Sequence, residues 1–384
     1  MKKWIKGLAA VLLAGITAST WLSTAAAGEG DAPILTESRH AKWIDRVRLP
    51  EYAKEFYDIC IEASDNDGYR DYFIEDCYFD LSPCQVEVSF KYLKTLKAGD
   101  FVKSHEFTGI FLGAVKGEEK DYALRSVGIA FQGFLHDYPE VFWLDGQWQR
   151  WFEDEESHAV YLFFALEDVA RASGFRYTGY TQDTIRAAIE KRDRDVAKIV
   201  SDLPKGADDG EKAVYFHDVL VENNQYNTLV AEALAAGRPT DDIRAKVPQA
   251  WECVSALSGS VGAQGPVCYA YAKAFKVLCD KAGVPCVITN SQDHVWNYVE
   301  IGGNWYGVDA MMDDPAAGAG ALSGYEGKGY LLVGARTPGP DGRPFLDSHA
   351  VENRVWLYPG NGPDLWLVNG PELSEEAYAG VRGR

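Results

Sequence analysis

The sequence predicts an α+β protein, and three features carry that expectation. A helical apolar pattern starts at Cys268, and a glycine pair at Gly302-Gly303 joins two apolar runs into an antiparallel hairpin. The first half of the chain mixes a long helical stretch with short alternating strands. Segregated helices and hairpins of this kind build an α+β domain rather than a parallel α/β sheet.

The chain has 384 residues, enough for one large or two moderate domains. Its first segment has a basic start (Lys2, Lys3, Lys6), an apolar run from Leu8 to Ala18, and the small residues Ala25-Ala26-Ala27. This is the pattern of a secretory signal peptide, with cleavage expected near Ala27 and a secreted or cell-surface mature protein. Residues 28–180 read as an N-terminal mixed α/β region, and 181–384 as a second domain that holds the chemistry. In the N-terminal region, residues 41–64 read as helical with a break at Pro50. Residues 85–90, 147–152 and 160–166 alternate as strands, and 122–136 is a helix closed by Asp137-Tyr138-Pro139. Asp65-Asn66-Asp67-Gly68 reads as a turn, because Ala63 and Ile74 stand where a calcium loop needs carboxylates. The second domain opens with helices over 181–203 and 211–223 and a polar, alanine-rich excursion over 228–250.

The formal charge of −19 becomes −22 once the three lysines of the leader are gone. Such an acidic protein does not attract nucleic acid or anionic lipid through bulk charge. Past residue 30 no apolar stretch approaches the roughly 20 residues that a membrane span requires, so no stable membrane insertion is expected. Seven cysteines leave at least one thiol unpaired within the chain, with Cys77/Cys84 and Cys279/Cys286 plausible local pairs. No Cys-x-x-Cys or His-x-x-x-His spacing occurs, so neither a metal nor another cofactor is expected.

Gly265-Pro266 is a helix-start signal, and from there Cys268, Tyr271, Ala272, Phe275, Cys279 and Ala282 recur at helical spacing. Cys268 therefore heads the buried stripe at a helix N-terminus, where the macrodipole favours an anion. Gly283-Val284-Pro285 ends the helix, and Cys286–Thr289 reads as a strand. The runs 294–301 and 304–310 then meet through Gly302-Gly303. With a two-residue loop, Ile301 opposes Asn304 and Trp296 opposes Asp309, so His294 shares a face with Trp296 and lies diagonal to Asp309. A diagonal pair is separated by about 7–8 Å between backbones, which an imidazole and a carboxylate span. A thiol, an imidazole to move its proton and an acid to fix the tautomer are the parts of nucleophilic acyl transfer. Cys268, His294 and Asp309 are the candidate catalytic residues.

Several stretches carry a family resemblance. They are Val267-Cys268-Tyr269-Ala270-Tyr271-Ala272, Gly283-Val284-Pro285, His294-Val295-Trp296-Asn297, Trp305-Tyr306-Gly307-Val308-Asp309 and Asp313-Asp314-Pro315. Together they resemble the transglutaminase-like superfamily in its bacterial secreted form. His217-Asp218 with Tyr226-Asn227 is similar to the helix that precedes that family's core, and 137–143 resembles an upstream region of some members. The resemblance covers about residues 205–335. It implies a papain-like core: a helix bearing the cysteine, packed on an antiparallel sheet bearing histidine and aspartate. It also implies a cysteine-dependent acyl-transfer enzyme acting on peptide or glutamine amides through a thioester, with hydrolysis favoured over cross-linking. A protein or peptide substrate, cell-wall peptide included, is the implied partner; the alternative is a weakly active or inactive scaffold on the same fold. The chain differs from the family at Tyr269, Ala270 and Met311-Met312, which would shape the pocket. The backbone N–H of Cys268 is one oxyanion donor. Gln264 and Trp251 are candidates for a second, and Tyr269 and Trp296 for the substrate pocket.

Overall fold

The computed structural model describes residues 41–46, 49–65, 97, 101–103, 108–115, 117–142, 148–153, 156–157, 160–165, 182–291, 294–316, 328–351 and 371–380. The leader, the strand expected at 85–90, the turn at 66–68, Cys77/Cys84 and the boundary placed near residue 180 lie outside them.

The described chain is α+β. After a 3-10 turn at Ile44–Arg46 come α1 (Glu51–Asp65), β1 (Phe101–Lys103), β2 (Thr108–Val115), α2 (Gly117–Asp137), β3 (Trp148–Glu153) and β4 (Val160–Ala165). The strands form an antiparallel sheet in the order β1-β2-β4-β3, with a register shift between Phe111 and Gly113. Helix α1 packs on α2 through Tyr57, whose ring meets Phe134 edge-on at 6.4 Å and the Tyr138 ring just past the end of α2 at 6.3 Å.

The second part begins with α3 (Gln182–Ser201), α4 (Asp209–Asn223), α5 (Thr228–Ala235) and α6 (Asp241–Lys246). It continues through a 3-10 turn at Pro248–Trp251, α7 (Cys253–Leu257) and a 3-10 turn at Gly262–Gln264 to α8 (Cys268–Ala282). Helix α4 starts two residues earlier than its apolar pattern, because Asp208 and Glu211 close a capping box. The excursion at 228–250 contains two helices, the first capped by the Asn227 side chain on Val230 N at 3.1 Å.

Strands β5 (Cys286–Asn290), β6 (Val295–Ile301) and β7 (Asn304–Val308) form a second antiparallel sheet in that order. The β6–β7 register pairs Ile301 with Asn304 and Asn297 with Val308, as the two-residue loop requires. Gly302 and Gly303 both have positive φ, at 59° and 82°, which a side chain would resist. On the free edge of β7, Gly307 exchanges backbone bonds with Val333, and Leu373 bridges to Trp305. A single helical turn, α9 (Phe345–Ser348), follows that edge segment.

Helix α8 lies on β5 and β6 on one side and under α3, α4 and α7 on the other, so it is buried nearly all round. Asn297 on β6 fixes the helix to the sheet, its amide donating to Ala272 O at 3.0 Å. Cys279 and Cys286 are free buried thiols that meet in this core. The burial extends to Lys276, which is 0% exposed. Its Nζ lies 2.6 and 2.8 Å from the two carboxylate oxygens of Asp280, one turn on, and 3.4 Å from Ala41 O of the N-terminal part. Asp137, at the end of α2, accepts from Ile44 N and the Tyr57 hydroxyl. Burial raises its carboxyl to about 6, although Lys276 pulls the other way. Among the described residues no helix is long and apolar enough to cross a membrane.

Lys276→Met removes the cation that lies against both oxygens of the buried Asp280 carboxylate. It is expected to cost about 3–5 kcal/mol in urea unfolding, with most of the loss recovered in Lys276→Met/Asp280→Leu. Equal destabilisation of the single and double variants would show that the carboxylate does not depend on this lysine.

Candidate active site

The candidate residues come from three consecutive pieces of the second part. Val267 caps α8 in extended conformation, making Cys268 the first helical residue, and the Val267 carbonyl accepts from Ala270 N and Tyr271 N. The first N–H groups of a helix have no intrahelical acceptor, so the backbone at Cys268 supplies donors where its sulfur sits. Gly265 is required just upstream. A Cβ there would stand 2.0 Å from Gln225 O, and the Asn227 amide clamps the same loop through Gly265 O (2.9 Å) and Ala263 O (3.0 Å).

His294 stands one residue before β6, its carbonyl accepting from Ser291 N, and Asp309 one residue after β7. The hairpin register therefore sets them side by side, and His294 Nε2 hydrogen-bonds Asp309 Oδ2. The Cys268 thiol lies close enough to the same imidazole to help raise it. With Nε2 taken by the aspartate, Nδ1 is the nitrogen left for the thiol. The His294 side chain is 20% exposed and that of Asp309 only 1%, so the proton carrier reaches the surface while the acid behind it is sealed. Burial alone would lower the histidine; the Asp309 charge and hydrogen bond and the Cys268 thiol outweigh it and hold the imidazolium well above its usual range. Burial likewise works against the Asp309 carboxylate, yet His294 and His349 hold it below the ordinary carboxylate range.

No sequence signal singled out His349. It follows α9, is 3% exposed, and its Nε2 lies 3.0 Å from the same Asp309 Oδ2. Asp309 Oδ1 accepts from Met312 N at 3.0 Å, so both carboxylate oxygens are occupied. His294, Asp309 and His349 are also the only group of metal-ligand type among the described residues, with donor atoms within 4.8 Å of one another. Both imidazole nitrogens aim at one carboxylate oxygen, the arrangement of two N–H donors on a shared acceptor.

The turn after Asp309 is held by two more buried acids. Asp313 accepts from Gly329 N (3.1 Å) and Tyr330 N, and receives His217 Nε2 at 3.0 Å; Asp314 accepts from the Tyr271 hydroxyl on α8 and from Ala316 N. His217 is fully buried, and its Nδ1 faces Asp218 at 3.1 Å, which in turn pairs with Lys328. Burial would lower this histidine, but the two flanking carboxylates prevail and raise it.

The remaining candidates are more dispersed. Trp296 is 1% exposed, with its ring stacked on His294 at 5.7 Å between centroids, so it backs the imidazole. Tyr269 is 37% exposed beside Cys268, with Lys273 over its ring. Trp251 is buried against Val267 with Arg244 over its indole, while Gln264 is exposed on the 3-10 turn four residues ahead of the thiol. No protein-family model matches the chain, and no curated protein matches it.

His217→Gln removes a charge from between two carboxylates and is expected to lower Tm. A histidine raised in the folded state contributes stability that is fully present below its unfolded pKa of about 6.5 and is lost as pH rises through the folded value. The Tm deficit of the variant is therefore largest in buffers below about pH 6.5 and shrinks as they become alkaline; a deficit independent of pH would mean that His217 is held neutral.

Proposed function

We propose that the chain is a secreted, cysteine-dependent acyl-transfer enzyme with a transglutaminase-type, papain-like core. It acts on peptide or glutamine amides of protein substrates, cell-wall peptides included. The observation that carries this is the grouping of Cys268 beside His294 and of His294 hydrogen-bonded to Asp309, with the thiol on a helix N-terminus and the acid buried. Chance grouping of a cysteine, a histidine and an aspartate does not arrange them in the order that proton transfer needs.

In the proposed reaction the Cys268 thiolate attacks the amide carbonyl, and the Cys268 N–H donates to the developing oxyanion. The amine leaves with a proton from the His294 imidazolium, and a thioester remains. His294, now neutral, takes a proton from water, and attack on the thioester releases the acid and restores the thiol. Asp309 keeps Nε2 protonated throughout, so that Nδ1 is the nitrogen that gives and takes. A lysine amine in place of that water would give a cross-link by the same steps. The partly open setting of Cys268 and His294 favours water as the usual acceptor. The leader at residues 1–27 supports export of the mature protein.

Cys268 is also the thiol best placed to react. The other described cysteines are buried, and burial pushes Cys253 up to about 12 and Cys60 well above the usual thiol value. Iodoacetamide applied to the folded protein is expected to label Cys268 first, with peptide mapping as the readout. Labelling of Cys60 or Cys253 ahead of it would remove the nucleophile from the proposal.

The activity itself is tested by offering a glutamine-containing protein with and without a primary amine, followed by mass spectrometry. Deamidation or cleavage is expected from the wild type and neither from Cys268→Ala; cross-linking without hydrolysis would reassign the acceptor, and an unchanged substrate would count against catalysis. Asp309→Asn is expected to lower turnover on the order of 10–10³-fold, less than the loss in a serine triad because a thiolate–imidazolium pair depends less on the third group.

A further inference from the structure

Asp309 carries a second histidine whose position the three-residue scheme does not use. His349 Nε2 donates to Asp309 Oδ2, the oxygen that also takes His294 Nε2, and the ring is enclosed on every side. Phe345 stacks on it at 4.2 Å and 20°, Trp296 meets it edge-on at 5.0 Å, and Tyr330 lies at 5.1 Å. The charged or titratable groups facing it are Asp309 after β7, His294 before β6 at 5.8 Å between rings, and the Tyr330 hydroxyl from the edge segment.

The strand that presents Asp309 also seats His349. A Cβ on Gly307 would stand 2.3 Å from the Phe345 ring, so β7 accepts that ring only because it has a glycine there. Phe345 N and Leu346 N bond back to Thr337 O (2.9 Å) and Ala335 O (3.2 Å), and His349 N bonds to Phe345 O at 2.8 Å. The proton on Nε2 is required by its partner, because the Asp309 carboxylate can only accept. On the far side of the ring Ser348 Oγ donates to Phe345 O at 3.0 Å and lies 2.9 Å from His349 Nδ1, which holds the ring in place.

We propose that His349 is a positioning residue of the Cys268 site: it shares Asp309 Oδ2 with His294, fixes the plane of that carboxylate, and limits how firmly the carboxylate holds the His294 proton. The inference rests on the cysteine-enzyme function proposed above. A carboxylate oxygen with two N–H donors divides its charge between them and is a weaker base toward each. An imidazole whose Nε2–H is bound too firmly to Asp309 becomes a stronger base at Nδ1 and would keep the Nδ1 proton that it must pass to the leaving amine. His349 therefore keeps His294 in the range where it both accepts and returns a proton.

The rate of Cys268 alkylation by iodoacetamide, followed against pH, tests this without a known substrate. Its lower step marks formation of the thiolate–imidazolium pair, and its upper step marks loss of the His294 proton. His349→Phe keeps a ring between Phe345 and Trp296 but has no donor, so Oδ2 becomes the stronger acceptor for His294. The upper step is expected to move up by about half a pH unit or more, and His349→Gln, which offers an amide N–H, to bring it back toward wild type. An unmoved step in a folded His349→Phe protein, or one moved downward, overturns the proposal and leaves His349 as core packing. Should His349→Phe not fold, His349→Met serves as the apolar variant without a donor; the same upward move supports the proposal and no move overturns it. A wild-type profile with a single ordinary thiol step would instead overturn the cysteine-enzyme function, and this inference with it.

Discussion

A carboxylate that is buried must be held by donors on all its lone pairs, and in this protein the requirement falls on Asp309. Three donors meet it from three separate segments: His294 ahead of β6, Met312 N from the following turn, and His349 beyond the edge segment. Its own N–H is spent on Tyr330 O at 2.9 Å. Removing any of these leaves a charge or a polar atom without its partner in an apolar setting, so the hairpin, the turn and the 328–351 segment are bound to a common geometry. The order of these side chains is thus a by-product of satisfying one buried acid.

The same logic recurs one layer out. Asp313 and Asp314, both 0% exposed, tie the turn to α4 through His217 and to α8 through Tyr271. Helix α8 is thus fixed by the sheet through Asn297, by the turn through Tyr271, and by the N-terminal part through Lys276. Lys276 lies two turns from Cys268, about 12 Å along the helix axis. The N-terminal part consequently reaches this part of α8 through the Ala41 carbonyl, and the Lys276 charge acts on its buried acid Asp137.

Met311, Met312 and Tyr269 flank the candidate site and fall into two physical classes. Met311 packs against the main core and Met312 against the cluster of Trp296, Tyr298 and Tyr330, so these side chains fill volume under the turn. What the turn supplies to the site at that point is the Met312 backbone N–H, which any residue but proline would offer. Tyr269 differs in kind. It is exposed next to the thiol, with a lysine over its ring, and so it shapes the rim that an approaching substrate would meet.

What the sequence determined by itself was local. The helix start at Gly265-Pro266, the stripe headed by Cys268, and the turn at Gly302-Gly303 are short-range signals. The hairpin register follows from them by counting, which is why His294 and Asp309 are legible as partners from the sequence alone. The same locality explains what stayed hidden. Lys276 and Asp280 have the spacing of an ordinary solvated ion pair, and only the tertiary fold, which brings Ala41 O to 3.4 Å from Lys276 Nζ, buries that face. His349 lies 40 residues from Asp309 in the chain, beyond the 317–327 stretch. No periodicity connects the two; a glycine at 307 that admits Phe345, and the return of the edge segment along β7, brought the second imidazole to the acid. Spacing rules see one turn or one hairpin at a time, and the contacts that decide burial and charge in this site are made between segments that no such rule joins.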